Sequence, residues 1–448
     1  MQLSRRILRI GVIALLVYMP FHVFLSQSLS LLTGGLEVWK AAKDVALALL
    51  TVFAVCLVFW RGRAERWYTT LLGIAAAYAV LHVLLFVIFK HKLYAESAYI
   101  GIIYNLRVVC YLVLGASAAS LYARVFAFRS IIKIITGVAS VIALLGVLQY
   151  FLPKDLLTHA GYSLDRGVRP MFFIDDNPAF PRIMSTLRDP NSLGAYLLVP
   201  LAVLTMYALR ARNYVRSRQL LIYGLLGLHI VALYLTFSRS AWLAAIIVVA
   251  LVIWWQFSSL FVHVIRRYWI VGVAAVVIVG VSVYMLRNNP HIDGVLTHST
   301  AAQSGPIDSN EYHWLFVRRG ISGIVQQPLG HGPGTAGLAS IQNPYGTGIL
   351  TENYYVQIGY EVGVVGLALF IALQVFIYIR LYKRRDEWSI VLLAAFWGYV
   401  VTSMLLHTWS NEAVAAQWWL LAGLAIGLPL ASSTHKARHP REGGDPVE

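Results

Sequence analysis

The stretch WYTTLLGIAAAYAVLHVLLFVIF, residues 67–89, holds no Asp, Glu, Lys or Arg in 23 consecutive positions. A helix of that length covers about 34 Å, enough to cross a hydrocarbon core of about 30 Å. Arg61, Arg63 and Arg66 precede it, and Lys90 and Lys92 follow it. Working outward, similar runs recur at roughly 7–25, 43–60, 99–122, 131–152, 191–209, 219–237, 241–261, 268–286, 353–379, 388–409 and 413–430, which makes twelve candidate spans. Each reads as a helix, because backbone groups in lipid must pair within their own segment. The alternating strands of about ten residues that build a membrane barrel do not occur. The composition agrees: 59% hydrophobic and 12% charged, with a mean hydropathy of +0.68, where soluble domains run at about 45–50% and about 25%. The chain therefore reads as an all-α polytopic membrane protein, with one transmembrane helical domain over residues 1–430 and a polar, disordered tail over 431–448.

The net charge of +16 would suggest nucleic acid in a soluble protein. Here 22 of the 36 Lys and Arg residues fall in alternate short loops, in groups such as Arg5/Arg6/Arg9, Arg124/Arg129/Lys133 and Arg380/Lys383/Arg384/Arg385. That bias marks the cytoplasmic side, so both termini are expected there and no nucleic-acid partner is implied. Arg5, Arg6 and Arg9 ahead of an apolar run have the flavour of a signal peptide, but no small-residue cleavage site follows Leu25, and the run reads as an uncleaved first span. Cys56 and Cys110 lie inside apolar runs, which excludes a disulfide framework. Two segments are long and polar, residues 153–190 and 287–352, and both fall on the outer side; within the second, Glu311–Gln327 has the pattern of an amphipathic helix that Pro328 ends.

Three clusters face that side. Thr236-Phe237-Ser238-Arg239-Ser240-Ala241-Trp242 joins two spans with almost no loop, which puts Arg239 at the membrane boundary, where a bidentate bond to phosphate or carboxylate is strong. Arg182-Ile183-Met184-Ser185-Thr186-Leu187-Arg188-Asp189-Pro190-Asn191 opens the sixth span, with Asp189 or Asn191 as its cap and two arginines beside a helix N-terminus, an arrangement suited to anions. Glu352-Asn353 opens the tenth span, and Glu352 reads either as a base or as a helix-start carboxylate. Glu361 lies nine residues on, about 180° round an ideal helix, so it cannot pair with Glu352 and is assigned to structure. Gly359 and Gly363 form a G-x-x-x-G packing motif.

Gly332, Gly334 and Gly337 fit the dinucleotide fingerprint, but in an outer loop and outside a βαβ unit the pattern reads as a flexible or tightly turning loop, and no nucleotide is expected. His22, His82, His229 and His407, in or near spans, read as groups bonded to neighbouring helices. No paired Cys/His set suggests a metal, and no cofactor is expected.

Together the clusters resemble the O-antigen ligase and polymerase superfamily of bacterial membrane glycosyltransferases. Thr236–Trp242 is similar to its SRSAWL signature, Arg182–Asn191 to its segment ending in Pro-Asn before a span, and Pro328-Leu329-Gly330-His331-Gly332-Pro333-Gly334 to its P-x-x-G-x-G element. Glu352-Asn353, nine residues and Gly363-x-x-Gly366 fit its H-N-x9-G-x-x-G pattern, with glutamate in place of the ligases' histidine. The related core spans about residues 182–380. The resemblance implies a GT-C-like fold with a large periplasmic loop between spans nine and ten, in the bacterial inner membrane, and an active site facing the periplasm. It implies inverting, metal-independent transfer of a glycan from undecaprenyl diphosphate to an acceptor hydroxyl, in lipopolysaccharide or surface-polysaccharide biosynthesis. The acceptor is lipid A–core for a ligase, a second lipid-linked glycan for a polymerase, or a protein side chain for an O-oligosaccharyltransferase. Glu352 then takes the role of base, and Arg239, Arg182, Arg188 and Arg318 bind the donor diphosphate. The family's arginine early in the loop helix falls on His313 here, so Arg318 or Arg319 supplies that charge instead; His331 and Asn353 are further loop contributors. A transporter or flippase of a lipid-linked anionic glycan would use the same arginines without chemistry. It is disfavoured because no internal repeat is visible.

The sidedness has a direct test. Cysteines introduced at Ser163 and Ser304 are expected to react with a membrane-impermeant maleimide from the periplasm. Labelling from the cytoplasm alone would invert the topology.

Overall fold

The computed structural model describes residues 2–174, 177–257, 309–346 and 348–429. The expected ninth span (268–286), the first part of the second long loop and the tail 431–448 lie outside the described residues. Among the described residues, ten helices are long and apolar enough to cross a membrane. In chain order the elements are α1 (Gln2–Thr33, tightened to a 3-10 turn at Met19–Phe21), α2 (Leu36–Trp60), α3 (Arg66–Phe89), α4 (Ala95–Tyr122) and α5 (Phe128–Phe151). A two-stranded hairpin follows, β1 (Phe172–Ile174) antiparallel to β2 (Asn177–Arg182). Then come α6 (Pro190–Leu209), α7 (Arg216–Leu235), α8 (Arg239–Phe257), the loop helix α9 (Ser309–Gln326), α10 (Tyr354–Arg384), α11 (Glu387–Leu405) and α12 (Glu412–Gly427). The architecture is that of an all-α polytopic membrane protein.

α12 has 16 residues: Asn411 caps it through Val414 N, and it ends at Gly427, short of the expected 430, while the 3-10 turn at Thr408–Ser410 separates it from α11, which ends at Leu405 rather than 409. It is buried on nearly every side and packs chiefly against α4. The two backbones touch through glycines: a Cβ on Gly115 would sit 2.4 Å from Leu420 O, and one on Gly423 would sit 2.2 Å from Leu112 O. Small residues permit this approach where no hydrophobic effect drives helices together.

The bundle has two chemically different ends. At one, Ile183 N bonds Leu235 O, Asn353 Nδ2 bonds Met404 O, and Arg107 of α4 lies 3.2 Å from Glu412 of α12. At the other, Arg61 bonds Ser4, Arg210 pairs with Glu387 at 2.7 Å, and Arg384 reaches Leu428 O. Among the described residues, the basic short loops at Arg61, Arg210 and Arg384 thus share one end, and the parts of the two long loops that adjoin α6 and α10 share the opposite one.

The sharpest irregularity is a break in α10. Val362 and Gly363 leave helical geometry, Gly363 at φ +71°, which a glycine adopts without strain. Broken ladders in hydrocarbon must be re-satisfied, and the loop after α9 does this. Tyr360 O accepts from His331 N, Glu361 O accepts from Gly332 N, and Val364 N donates to Pro328 O, each at 2.9 Å. The G-x-x-x-G reading therefore divides: Gly359 faces Ile324 of α9, whereas Gly363 admits the Pro328–Leu329 backbone. Glu361, fully buried, anchors the same loop. Its carboxylate accepts from Asn105 Nδ2 of α4 at 2.6 Å, from Gly334 N at 3.0 Å and from Ala336 N at 3.2 Å. The loop has no room to spare, since a Cβ on Gly334 would lie 2.0 Å from Ser97 O, and Gly332, Gly334 and Gly337 all have positive φ.

Two measurements test this packing. Gly423→Val forces α4 and α12 apart and should lower thermal stability in detergent by about 1–3 kcal/mol or more, whereas Gly224→Ala, with open space around its Cβ position, should be tolerated. Glu361→Leu leaves three donors without an acceptor, each at about 1–3 kcal/mol. Hydrogen exchange at Gly334 and Ala336 should then speed at least tenfold with helicity retained; unchanged exchange would mean that the break in α10 holds the loop alone.

Candidate functional site

The residue singled out as a base stands just outside the helix it precedes. Asn353 is the N-cap of α10: its Oδ1 accepts from Val356 N at 3.0 Å, and its Nδ2 donates to Met404 O of α11 at 2.9 Å. The capping role open to Glu352 in the sequence is therefore filled by its neighbour. Glu352 has φ +46° and is half-exposed, and its Oε2 accepts from His313 Nδ1 at 2.7 Å. His313 comes from the first turns of α9, 39 residues away. α9 is held close by its own glycines: a Cβ on Gly320 would meet Val356, and one on Gly323 would meet the Tyr360 ring.

The other loop candidates separate. The His331 ring stacks on Tyr360, with centroids 3.9 Å apart and planes at 4°, so it helps dock the loop onto α10. Burial lowers its pKa. Arg318 and Arg319 are exposed on α9.

Arg182 and Arg239 are brought together. Arg182 ends β2, and its Nε donates to Thr236 O at 3.0 Å, while its Nη2 donates to Asn191 Oδ1 at 3.0 Å. It thereby ties the hairpin to the first turn of α6 and to the α7–α8 turn, from which half-buried Arg239 opens α8. That turn is tight: Phe237 has φ +47°, and Trp242 stacks on Tyr234 and donates to Leu233 O. Asp189, rather than Asn191, caps α6, accepting from Ser192 N and Oγ at 2.8 and 2.7 Å.

Arg188 lines a small cleft of about 160 Å3 with Asn191, His407, Thr408, Ser410 and Glu412. His407 is half-buried in the same cleft, where desolvation lowers its pKa. Behind the cleft, buried Lys43 and Arg107 pair with the half-buried Asp44 and Glu412, with Lys43–Asp44 at 3.0 Å and Arg107–Glu412 at 3.2 Å. The sequence reading missed this network, and His407, read as bonded to a neighbouring helix, has no hydrogen-bond partner for either ring nitrogen among the described residues. Arg107 alone inside an apolar run was the available signal, since an intramembrane charge implies a partner.

Among the described residues, four non-glycine positions have positive φ: Ser185, Phe237, Glu352 and Arg385. Arg385 is a left-handed helix C-cap. The other three fall one in each of the three sequence clusters, and strain of this kind gathers where side chains must be aimed.

A groove of about 800 Å3 begins at His313, Trp314 and Asn353 and continues between α10 and α11 to Tyr378 and Trp397. Its walls are almost wholly apolar, with Gln374 as the main polar group along its length. Among the described residues, no group of three or more His, Cys, Asp and Glu could hold a metal ion.

No curated protein matches the chain. Residues 222–371, about a third of the chain, match the family described as O-antigen ligase; the match takes in Arg239, His313, His331, Glu352 and Asn353 and supports the O-antigen ligase and polymerase superfamily as the chain's relatives.

Proposed function

We propose that the chain transfers a glycan from undecaprenyl diphosphate to an acceptor hydroxyl, with its active centre at the loop-bearing end of the bundle, facing the periplasm. The family match supports a membrane glycosyltransferase of the O-antigen ligase or polymerase type. The observation that carries the finer reading is the Glu352–His313 contact at the head of an apolar groove. The groove follows α10 from Asn353 past the break at Gly363 to Tyr378, of which the unbroken stretch Val364–Tyr378 alone covers about 21 Å at helical rise. That length suits a polyprenyl chain whose diphosphate lies beside the carboxylate.

In this reading the Glu352 carboxylate removes the proton of the acceptor hydroxyl, whose oxygen attacks the anomeric carbon of the first donor sugar. The bond from that carbon to the diphosphate oxygen breaks, the configuration inverts, and undecaprenyl diphosphate departs with the bonding electrons. Charge develops on the leaving group, so fixed guanidinium groups lower the barrier by interactions stronger in the transition state than in the ground state. Arg239, Arg182 and Arg188 fill this role. The exposed Arg318 and Arg319 reach the donor from α9. His313 holds the carboxylate, and Asn353 fixes the helix start behind it. The acceptor is lipid A–core or a second lipid-linked glycan.

Glu352→Gln keeps size and hydrogen bonding but cannot take the proton, so single-turnover transfer from purified donor should fall by roughly 10²–10⁴ with donor binding nearly unchanged. Arg239→Ala should cost about a hundredfold or more in transfer, and Arg239→Lys should recover only part, because a point charge does not replace the planar fork. Mass spectrometry of the acceptor provides the readout. Near-normal transfer by the Gln variant would remove Glu352 as base, and donor movement across vesicles without any product would favour a transporter.

A further inference from the structure

At the end of the bundle opposite Glu352, a cavity of about 830 Å3 opens among the start of α1, the α2–α3 turn and the C-terminal ends of α4, α10 and α12. Four arginines line it, Arg5, Arg63, Arg124 and Arg380, against one acid, Glu65, a net charge of +3. The Glu65 carboxylate already accepts from Trp67 Nε1 at 2.9 Å. Arg380 lies 4.6 Å from the Trp67 ring centroid, so one arginine is built into the wall, while Arg5, Arg63 and Arg124 are exposed. Basic pockets between helix ends suit anionic head groups, and Trp67 and Tyr122 are the side chains expected at head-group level.

A second feature adjoins it. Tyr122, in the cavity wall, bonds Ser4 at 2.7 Å, and Ser4 accepts from Arg61 Nη2 at 3.0 Å. Ser4 and Arg61 line a neighbouring groove of about 490 Å3 between α1 and α2, whose other walls are Leu3, Ile7, Phe53, Leu57 and Trp60. Trp60 is 85% exposed there. A basic cavity and an apolar groove thus share one hydrogen-bonded wall. A soluble phosphate would use only the first, whereas a phospholipid uses both.

We propose that this end of the bundle binds an anionic phospholipid, its phosphate held by Arg5, Arg63 and Arg124 and an acyl chain laid along the α1–α2 groove. The site is remote from Glu352, and the assignment does not depend on the transfer reaction.

The test uses the full chain in mixed micelles of phosphatidylglycerol and phosphatidylcholine, with retained lipid counted by native mass spectrometry. The wild type should retain phosphatidylglycerol preferentially. Each neutralised arginine should cost about fivefold, so R5Q/R63Q/R124Q together should lose roughly a hundredfold. R212Q/R216Q removes two charges from the same end outside the cavity and should keep the preference. Equal loss in both variants would replace the site with diffuse surface attraction and overturn the proposal. Displacement of the lipid by millimolar glycerol phosphate would also overturn it, in favour of a soluble phosphate. If the triple variant melts below the wild type in phosphatidylcholine alone, R124Q decides: a fivefold loss supports the site and no loss overturns it.

Discussion

The break in α10 is the constraint on which the candidate site depends. A continuous helix would satisfy its own backbone and need nothing from the chain before it. Because Val362 and Gly363 interrupt the ladder, the carbonyls of Tyr360 and Glu361 must find donors inside the bundle, and the His331 and Gly332 amides supply them. The Glu361 carboxylate adds two loop amides and Asn105 of α4 to the same junction. Pro328–Ala336 is therefore a structural part of the membrane domain although it lies in a long loop. α9 precedes it directly, so the anchored loop fixes one end of α9 while Gly320 and Gly323 bring its side against α10. The position of His313 over Glu352 results from both.

Charge burial imposes a second demand at the same end. Lys43, Asp44, Arg107 and Glu412 are two cations and two anions from three helices, and a neutral quartet avoids the large desolvation cost of a lone buried ion. Removing one partner would leave an uncompensated charge between the helices. Arg188, next to Glu412, stands between this neutral quartet and the cleft with His407. Its side chain lines both that cleft and the cavity bordered by Lys43, Asp44 and Glu412.

Hydropathy gave the helices because a span is a local property, about twenty residues read in order. The sorting of basic residues into alternate loops agrees with the two ends of the bundle, since α helices crossing in sequence must alternate. Gly332, Gly334 and Gly337 read in the sequence as either a flexible or a tightly turning loop, and all three have positive φ. The break at Gly363 was not, because Tyr354–Arg384 is apolar throughout and G-x-x-x-G describes equally a packed helix and an entry point for a loop. Asn105–Glu361 spans 256 residues and His313–Glu352 spans 39. Periodicity carries no record of such pairs. Their residues could be picked out one at a time, as Glu352 and His313 were, but not joined.

The replacement of the ligases' histidine by Glu352 has a physical reading in the backbone. At φ +46° the residue lies in the left-handed region, at a cost of about 1–3 kcal/mol for a side chain other than glycine. The flanking residues offset that cost: Asn353 caps α10 and bonds Met404 O, and Thr351 Oγ1 donates to Asn353 O. One position later, the side chain would be consumed by the cap. At position 352 it is projected away from the helix and toward α9. Direction is thus set by the main chain, so carboxylate or imidazole can occupy the same point, and in the proposed role of base the choice between them would decide proton affinity rather than placement. With glutamate there, the histidine comes from the opposite side, from α9, and the pair Glu352–His313 assembles both groups where the ligase pattern has one of them in α10's approach and an arginine in the loop helix.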